Sequence, residues 1–478
     1  MSAPAALLPS DALLAALQAA VGPAHVLTGD EAAPYGLEWT GKYRWTPLAV
    51  VRPGSVAEVQ AVVRACAAAG VPVVPVAGRT GLTGAAEAGG RVMLSVERMN
   101  RIREVRPASR IAIVEAGVVL SRLHEAAEAA GLVFPLTFGA KGSTMVGGFL
   151  STNAGGSNVV RYGSTRGMCL GIEVVLADGR VLNLMSELHK DNSGYDLKDL
   201  FIGAEGTLGI ITGAVLRLAA KPAAYASAMV AVASVDAALG LLNRVQAATG
   251  GGVEAFEYMP GNYMDRLFQV KPAMREPFGQ RYPHNIFVEV ASAAARDAVP
   301  DAEGRVPLAG MLEAALADAL ERGEALDAVV AATEGQRREM WARREAAGEI
   351  MVMDVPTVDC DLSVPLDKVS AFLTRIDAGL RALDPGATWM VVSHLGDGNV
   401  HYSGYLTKDD AGLMDAVRDM VDGIAVGMGG SFSAEHGIGL TKKGSMAAMK
   451  DPVALDVMRA VKAALDPRGL MNPGKVIP

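Results

Sequence analysis

Gly142-Ser-Thr-Met-Val-Gly-Gly148, followed by Ser151-Thr-Asn-Ala-Gly-Gly-Ser157 and Tyr162-Gly163, is the densest run of small residues in a chain of 478 with 54 glycines. A loop that only connects elements rarely needs so many glycines, hydroxyls and an Asn together. Packing against a large flat or bent ligand does need them, because no Cβ then stands between backbone and ligand. A second such stretch lies upstream. An apolar strand over 71–76 runs into Ala77-Gly-Arg-Thr-Gly-Leu-Thr-Gly84. Backbone N–H groups in a loop of this kind can approach a phosphate. Taken alone, three glycines also suit a plain surface loop. The spacing is neither Gly-x-Gly-x-x-Gly nor Gly-x-x-x-x-Gly-Lys-Ser/Thr. A cofactor held here implies a fold other than the common nicotinamide-binding one.

Outward from these loops, the pattern alternates short strands and amphipathic helices. Residues 10–21 read as a helix with Ser10 as its N-cap. A strand over 48–52 precedes Ser55-Val-Ala-Glu58, a capping box that opens a helix ending at Gly70. Strands over 92–96 and 111–115, a helix over 121–130, a hairpin around Asp178-Gly179 and a strand over 210–218 follow. Lys221-Pro222 breaks the pattern. The boundary is placed there, giving domains over 1–222 and 223–478, the last residues returning to the first. The second half mixes strands over 228–232 and 285–290 with helices over 334–350, 365–383 and 409–426.

Half the residues are hydrophobic and 20% charged, so a well-buried globular protein of two or three domains is expected. The net charge of −8, without a basic stripe, argues against nucleic acid. Three scattered cysteines suggest neither a disulfide framework nor a Cys-x-x-Cys metal site, which fits a reducing compartment. No secretory or transit signal is read at the N-terminus, and no apolar run is long enough to span a bilayer. The expected location is cytoplasmic, with peripheral membrane contact left open.

Three of the seven histidines fall in one late segment. Apolar residues flank His394-Leu-Gly-Asp-Gly-Asn-Val-His401. Asp397-Gly398 is a strong signal for a two-residue type I′ turn. Closing the hairpin there pairs Gly396 with Asn399, Leu395 with Val400 and His394 with His401. Two directly opposed imidazoles can share one metal ion. Glu435-His436 adds an oxygen ligand and a further imidazole.

Six stretches now stand in order: Pro75-Val-Ala-Gly-Arg-Thr-Gly-Leu82, the run from Gly142 to Gly156, Glu205-Gly-Thr-Leu-Gly-Ile-Ile211, the His394 to His401 hairpin, Glu435-His436 and Leu470-Met-Asn-Pro-Gly-Lys475. With them the chain resembles the FAD-linked D-2-hydroxyacid dehydrogenases of the vanillyl-alcohol-oxidase fold. That group includes D-lactate dehydrogenases, glycolate oxidase flavoprotein subunits and D-2-hydroxyglutarate dehydrogenases. The resemblance covers nearly everything from Pro47 on.

It implies an α+β protein: a two-subdomain FAD-binding domain followed by an α+β substrate domain. By that likeness Val76, Ala77, Gly78, Arg79, Thr80, Gly81 and Leu82, with Gly142, Ser143, Gly147 and Gly148, cradle the pyrophosphate. Leu136, Thr152, Asn153 and Gly155 lie along the cofactor, Gly206 and Ile211 on its ribityl or adenine side, and Asn472 near the flavin ring. Some relatives attach FAD through a His in the first glycine loop. Arg79 and Thr80 stand there instead, so non-covalent FAD is expected. Phe149 stands where relatives usually carry an Asn.

A 2-hydroxy acid can chelate a divalent metal through its carboxylate and hydroxyl. His394, His401 and Glu435 leave positions open for it. Zinc fits this donor set best, and manganese and iron suit it too. His436 is the candidate base for the hydroxyl proton. Arg344, aligned with an Arg of relatives, is the candidate carboxylate clamp; a solvated position on a charged helix face is the alternative. Relatives that oxidise D-2-hydroxyglutarate place a Thr and a Lys on the distal carboxylate. Here Gly348 and Asp359 stand there, and Ser403 replaces an Asn. Asp359 would repel a second carboxylate, so a D-lactate-like substrate is at least as well supported as a D-2-hydroxyglutarate-like one. The electron acceptor (an electron-transfer flavoprotein, a quinone, a cytochrome or oxygen) and a homodimeric state are left open. Two rival readings are a metal hydrolase without flavin and a flavin electron-transfer subunit without its own substrate site.

Overall fold

The structure, a computed structural model, describes residues 11–478, so the Ser10 cap lies outside the described residues. The chain divides into two compact units. The first contains the chain up to Gly155, then Ser164–Ala220 and Glu435–Pro478. The second contains Gly156–Gly163 and Lys221–Ala434.

In the first unit, four strands order β1-β2-β4-β3, with β1 Val26–Leu27, β2 Ala49–Val51, β3 Val73–Val76 and β4 Val92–Ser95. The pairs β2–β4 and β3–β4 are parallel, joined through the helix Val56–Ala69. That helix starts where it does because Ser55 Oγ accepts from Glu58 N at 3.3 Å. It stops at Gly70, whose φ of +69° suits a residue without Cβ. Met471 makes a parallel bridge to Val73, so the end of the chain adds a rung beside β3.

A five-stranded antiparallel sheet orders β5-β6-β10-β8-β9, with β5 Ile102–Arg106, β6 Ile111–Glu115, β8 Cys169–Val175, β9 Val181–Leu184 and β10 Ile210–Arg217. Strand β5 was not expected from the sequence, because Arg103, Glu104 and Arg106 break its apolar pattern. A small pair, β7 Leu132–Val133 with β11 Ala219–Ala220, completes this unit's sheets.

The second unit is built on one seven-stranded antiparallel sheet, ordered β15-β12-β14-β13-β17-β18-β16. Its strands are β12 Ala224–Val232, β13 Val253–Pro260, β14 His284–Ser292, β15 Ala325–Val330, β16 Thr357–Ser363, β17 Thr388–His394 and β18 Asn399–Tyr405. Period-two alternation separates two faces. One carries Phe256, Val358, Leu362, Val391 and Val400, buried with Leu241, Leu312, Phe372 and Val417 of four long helices. Each such side chain contributes about 1.5–3 kcal/mol of burial. The other face carries Met229, Met259, Phe287, Met390 and Val392, packed with Tyr263, Met340 and Ile350. Every polar group of the candidate site on this sheet lies on this second face.

The helix expected over 334–350 is two, Glu334–Glu345 and Ala347–Ile350. The first ends where the Ala346 N–H turns back to the carbonyls of Ala342 and Arg344.

Candidate active site

The hairpin of β17 and β18 forms, with a register different from the one expected. His394 opposes Asn399, Ser393 opposes Val400, and His401 opposes Val392. The Asp397 and Gly398 N–H groups both donate to the His394 carbonyl, at 3.1 and 3.2 Å. The Gly396 N–H is taken by Phe256 O at 3.1 Å. These bonds draw residues 395–398 out of the ladder into a four-residue loop, so the two-residue turn does not occur. Gly398, at φ +82°, could not carry a side chain, since a Cβ would sit 2.3 Å from Val364 O. The shift is even, so the two histidines still share a face. They are diagonal neighbours, with ring centroids 5.3 Å apart at 81°.

Next to His394 in the sheet stands Glu257 of β13. Its side chain is fully buried, and both oxygens are engaged. Oε2 accepts from Arg344 Nε at 2.6 Å, and Oε1 lies 2.8 Å from His394 Nδ1. Arg344 Nη2 lies 3.3 Å from His394 Nε2, closing a ring of three side chains. Burial alone would raise the Glu257 pKa; His394 and Arg344 outweigh it and bring it to about 2. Arg344 is delivered by the last turn of the helix Glu334–Glu345. That helix is fixed to the sheet upstream: Arg337 grips Glu289 through two nitrogens, and Trp341 Nε1 donates to Glu289 at 3.0 Å. Its neighbour Arg343 turns away, to Arg275 O.

On the other side of His401 stand two acids of β16. Asp361 opposes His401, with Oδ1 3.8 Å from Nδ1, and accepts from Asn399 Nδ2 at 2.9 Å. Asp359 opposes Ser403 and accepts its hydroxyl at 2.8 Å. Asp361, beside His401, was not expected from the sequence. Of the expected ligands, His394 and His401 lie in the second unit, and Glu435, with His436, opens the last stretch of the first. Imidazoles and carboxylates together are a donor set that suits zinc, manganese or iron.

In the first unit the loop after β3 and the residues before helix Val146–Thr152 are packed backbone to backbone. A Cβ on Gly78 would lie 2.2 Å from Ser143 O, and Thr80 Oγ1 is 2.7 Å from Thr144 Oγ1. Gly147 donates to Ala116 O, and Gly148 faces Ala77. Gly81 and Gly142, by contrast, open onto free space. Arg79, at φ +54°, lays its guanidinium over the Tyr35 ring and donates to Pro34 O. Val76, Leu136 and Ile211 are core side chains, and Leu82 is half-buried. Ser143 lies at the surface. Thr152 bonds back to Gly148 O within its helix, two residues before the half-buried Ala154 and three before Gly155. Asn153 caps that helix at φ +50° and accepts from Arg166 N. Gly206, at φ +73°, packs on Pro75.

Asn472 ties these loops together. Its Nδ2 donates to Ala85 O at 3.1 Å and Glu205 O at 2.8 Å, while its Oδ1 is buried with no hydrogen-bond partner. An orphaned acceptor costs about 1–3 kcal/mol, so it suits a ligand N–H such as the flavin ring presents. Glu205 was missed in the sequence. It is buried, which raises its pKa, and it accepts the Ile438 and Gly439 N–H groups at 2.7 and 2.9 Å.

Residues 47–185 match the family description "FAD binding domain", and residues 221–476 match "FAD linked oxidases, C-terminal domain". The chain is 36% identical to D-2-hydroxyglutarate dehydrogenase of Stutzerimonas stutzeri over 97% of this chain and 98% of that one. The chain belongs to the FAD-linked D-2-hydroxyacid dehydrogenase family. A second such relative of this dehydrogenase, from Xanthomonas citri pv. viticola, is 36% identical over 92% of both chains. The mitochondrial enzyme of Bos taurus is 37% identical over 97% of this chain and 83% of its own. Solved structures place the dehydrogenase in the vanillyl-alcohol-oxidase fold. They include alkyldihydroxyacetonephosphate synthase (TM-score 0.72, 16% identity, 98% of this chain and 85% of that one) and substrate-bound p-cresol methylhydroxylase (TM-score 0.71, 16% identity, 97% and 96%). The FAD-binding domain match and the dehydrogenase relatives make it an FAD-dependent oxidoreductase. Among the described residues, no helix is long and apolar enough to cross a membrane.

Proposed function

We propose that this dehydrogenase oxidises a D-2-hydroxy acid to its 2-keto acid, C2 giving up a hydride and the hydroxyl a proton. The observation that carries the reading is the buried Glu257–Arg344–His394 ring beside His401 on one sheet face. Such a face pairs a cation for a carboxylate with imidazoles for a hydroxyl. Bound FAD supplies the two-electron acceptor. His401 and Glu435, with His394 or Asp361, would hold a divalent metal, which would supply a Lewis acid that lowers the hydroxyl pKa.

The chain's own residues do the rest. Arg344 keeps guanidinium N–H groups beyond its bond to Glu257 and binds the substrate carboxylate with them. His436 takes the hydroxyl proton. Asp359 and Ser403, hydrogen-bonded to each other, bound the space for the substrate tail. Asn472 and the glycine loops from Val76 to Leu82 and Gly142 to Gly148 hold the cofactor non-covalently. Electrons then leave to an external acceptor, an electron-transfer flavoprotein, a quinone or a cytochrome.

The tail is the point on which two readings differ. The Asp359 carboxylate favours a short or uncharged tail, as in D-lactate. The printed names of the relatives favour D-2-hydroxyglutarate. Anaerobic mixing of the yellow protein with D- and L-2-hydroxy acids, with and without chelator, tests both. Bleaching by D-acids only, abolished by chelator and by His401→Ala or Glu435→Ala, is the expected result. Bleaching by no hydroxy acid sinks the reading.

A further inference from the structure

We propose that Glu257 is a positioning residue, one carboxylate that aligns the Arg344 guanidinium with one oxygen and fixes the tautomer of His394 with the other. This goes one layer deeper than the substrate contacts and rests on the dehydrogenase reading only for its catalytic consequence.

The argument is geometric. Glu257 sits on β13, directly opposite His394, in the centre of a seven-stranded sheet. A carboxylate there has no exposed surface. Burying a charge is costly unless it is paired and hydrogen-bonded, and Glu257 is paired twice, at 2.6 and 2.8 Å. A site that needed only an apolar core would hold a Leu or Met, as its neighbours Phe287 and Met259 show. An ionised carboxylate only accepts, and a guanidinium only donates. His394 Nδ1 faces the acceptor Glu257 Oε1, so Nδ1 carries the hydrogen. Its Nε2 faces the donor Arg344 Nη2, so Nε2 carries the lone pair. Both neighbours select the same neutral tautomer, with Nε2 as the acceptor edge of the ring. The same carboxylate holds Arg344 through Nε and so sets the plane in which Arg344 Nη2 meets His394 Nε2. Side chains that orient a liganding or substrate-binding imidazole from behind set its basicity and aim.

The test uses the full flavin-loaded chain labelled with ¹⁵N-histidine, the His394 signals being assigned by their loss in His394→Gln. In wild type, Nδ1 should give a protonated-type and Nε2 an acceptor-type nitrogen shift. Glu257→Asp keeps the charge but shortens the reach by one methylene, so it cannot serve both partners. Glu257→Gln keeps the reach without the charge. Both variants should move the His394 nitrogens toward the tautomer mixture of a free imidazole. Both should lower kcat/KM by about 10–100-fold with a raised KM, at unchanged FAD content. Glu257→Asp keeps the measurement open if Glu257→Gln fails to fold. Wild-type nitrogen shifts in Glu257→Asp, or a kcat/KM within twofold of wild type, overturn the proposal. A wild type that no hydroxy acid reduces removes the dehydrogenase reading, and the nitrogen shifts still decide the role of Glu257.

Discussion

Removing Arg344 should strand a buried charge, and the size of the effect can be worked out in advance. Burial works against the charge of Glu257, and its two partners hold its pKa below the ordinary carboxylate range all the same. In Arg344→Met the carboxylate keeps only His394. It can stay charged and unpaired, which typically costs about 3–5 kcal/mol. Alternatively it takes up a proton at pH 7, which for an ordinary carboxyl group costs about 4 kcal/mol. Both routes give a loss of roughly 3–4 kcal/mol. At about 2–4 °C per kcal/mol for a domain of about 150–250 residues, the second unit should melt about 6–16 °C lower. The double variant Arg344→Met/Glu257→Leu removes both charges and should recover part of that loss, since an apolar pair often replaces a buried ion pair at little cost. Calorimetry of the two single variants, the double variant and wild type, all FAD-saturated at pH 7, measures this. A single variant melting within about 1 °C of wild type, or a double variant no better than the single, would refute a buried, mutually dependent pair.

Three further outcomes are expected. Asp359→Lys reverses a charge at the site wall, and two like unit charges at about 4 Å in water differ from neutrality by about 1 kcal/mol. The ratio of kcat/KM for D-2-hydroxyglutarate over D-lactate should therefore rise about 5–30-fold; an unchanged ratio removes Asp359 from substrate selection. Asn472→Leu deletes two hydrogen bonds and the orphaned acceptor, so FAD should dissociate about tenfold more readily, as read by the return of free flavin fluorescence. Burial pushes the thiols of Cys66 and Cys169 up to about 12. The folded state therefore holds these protons above the unfolded pKa of about 8.5. Stability should fall as pH rises from there toward 12, by up to about 1.4 kcal/mol per unit for each thiol. A thiol reagent at pH 8 should find no fast-reacting cysteine until denaturant is added.

Six ordered stretches, the glycine runs and the His394–His401 segment among them, carried the resemblance that gave the family and the fold class; the glycine runs also encode close backbone approaches that few residues tolerate. The hairpin shows where such reading stops. Alternation is a property of the strand itself, so the shared face of the two histidines survived an error in register. Register depends on who takes the N–H groups of Gly396, Asp397 and Gly398, and one of those acceptors, Phe256, lies far away in sequence. The strand Val253–Pro260 was missed because Glu254 and Glu257 interrupt it, and with it the partner of both Arg344 and His394. Acids inside an otherwise apolar run were themselves the available signal. Asp361 was legible in the same way: Val358-Asp-Cys-Asp-Leu362 alternates apolar and acidic residues, which puts both acids on the face of His401.

The two units are interlaced along the chain, and that limits how the protein can be made or divided. Within the second unit, Arg161 donates to Glu254 at 2.9 Å and to Ala291 O at 2.8 Å, and Tyr162 donates to Glu254 at 2.6 Å. These two residues are borrowed from the middle of the first unit's sequence. The first unit in turn receives Met471 and Asn472 beside β3. A single cut at residue 222 would leave Glu254 buried without its arginine and β3 without its neighbour. On the ribosome the first half cannot finish folding when it emerges. It must wait for the whole second half to be synthesised, which makes this a protein whose halves mature together rather than in turn.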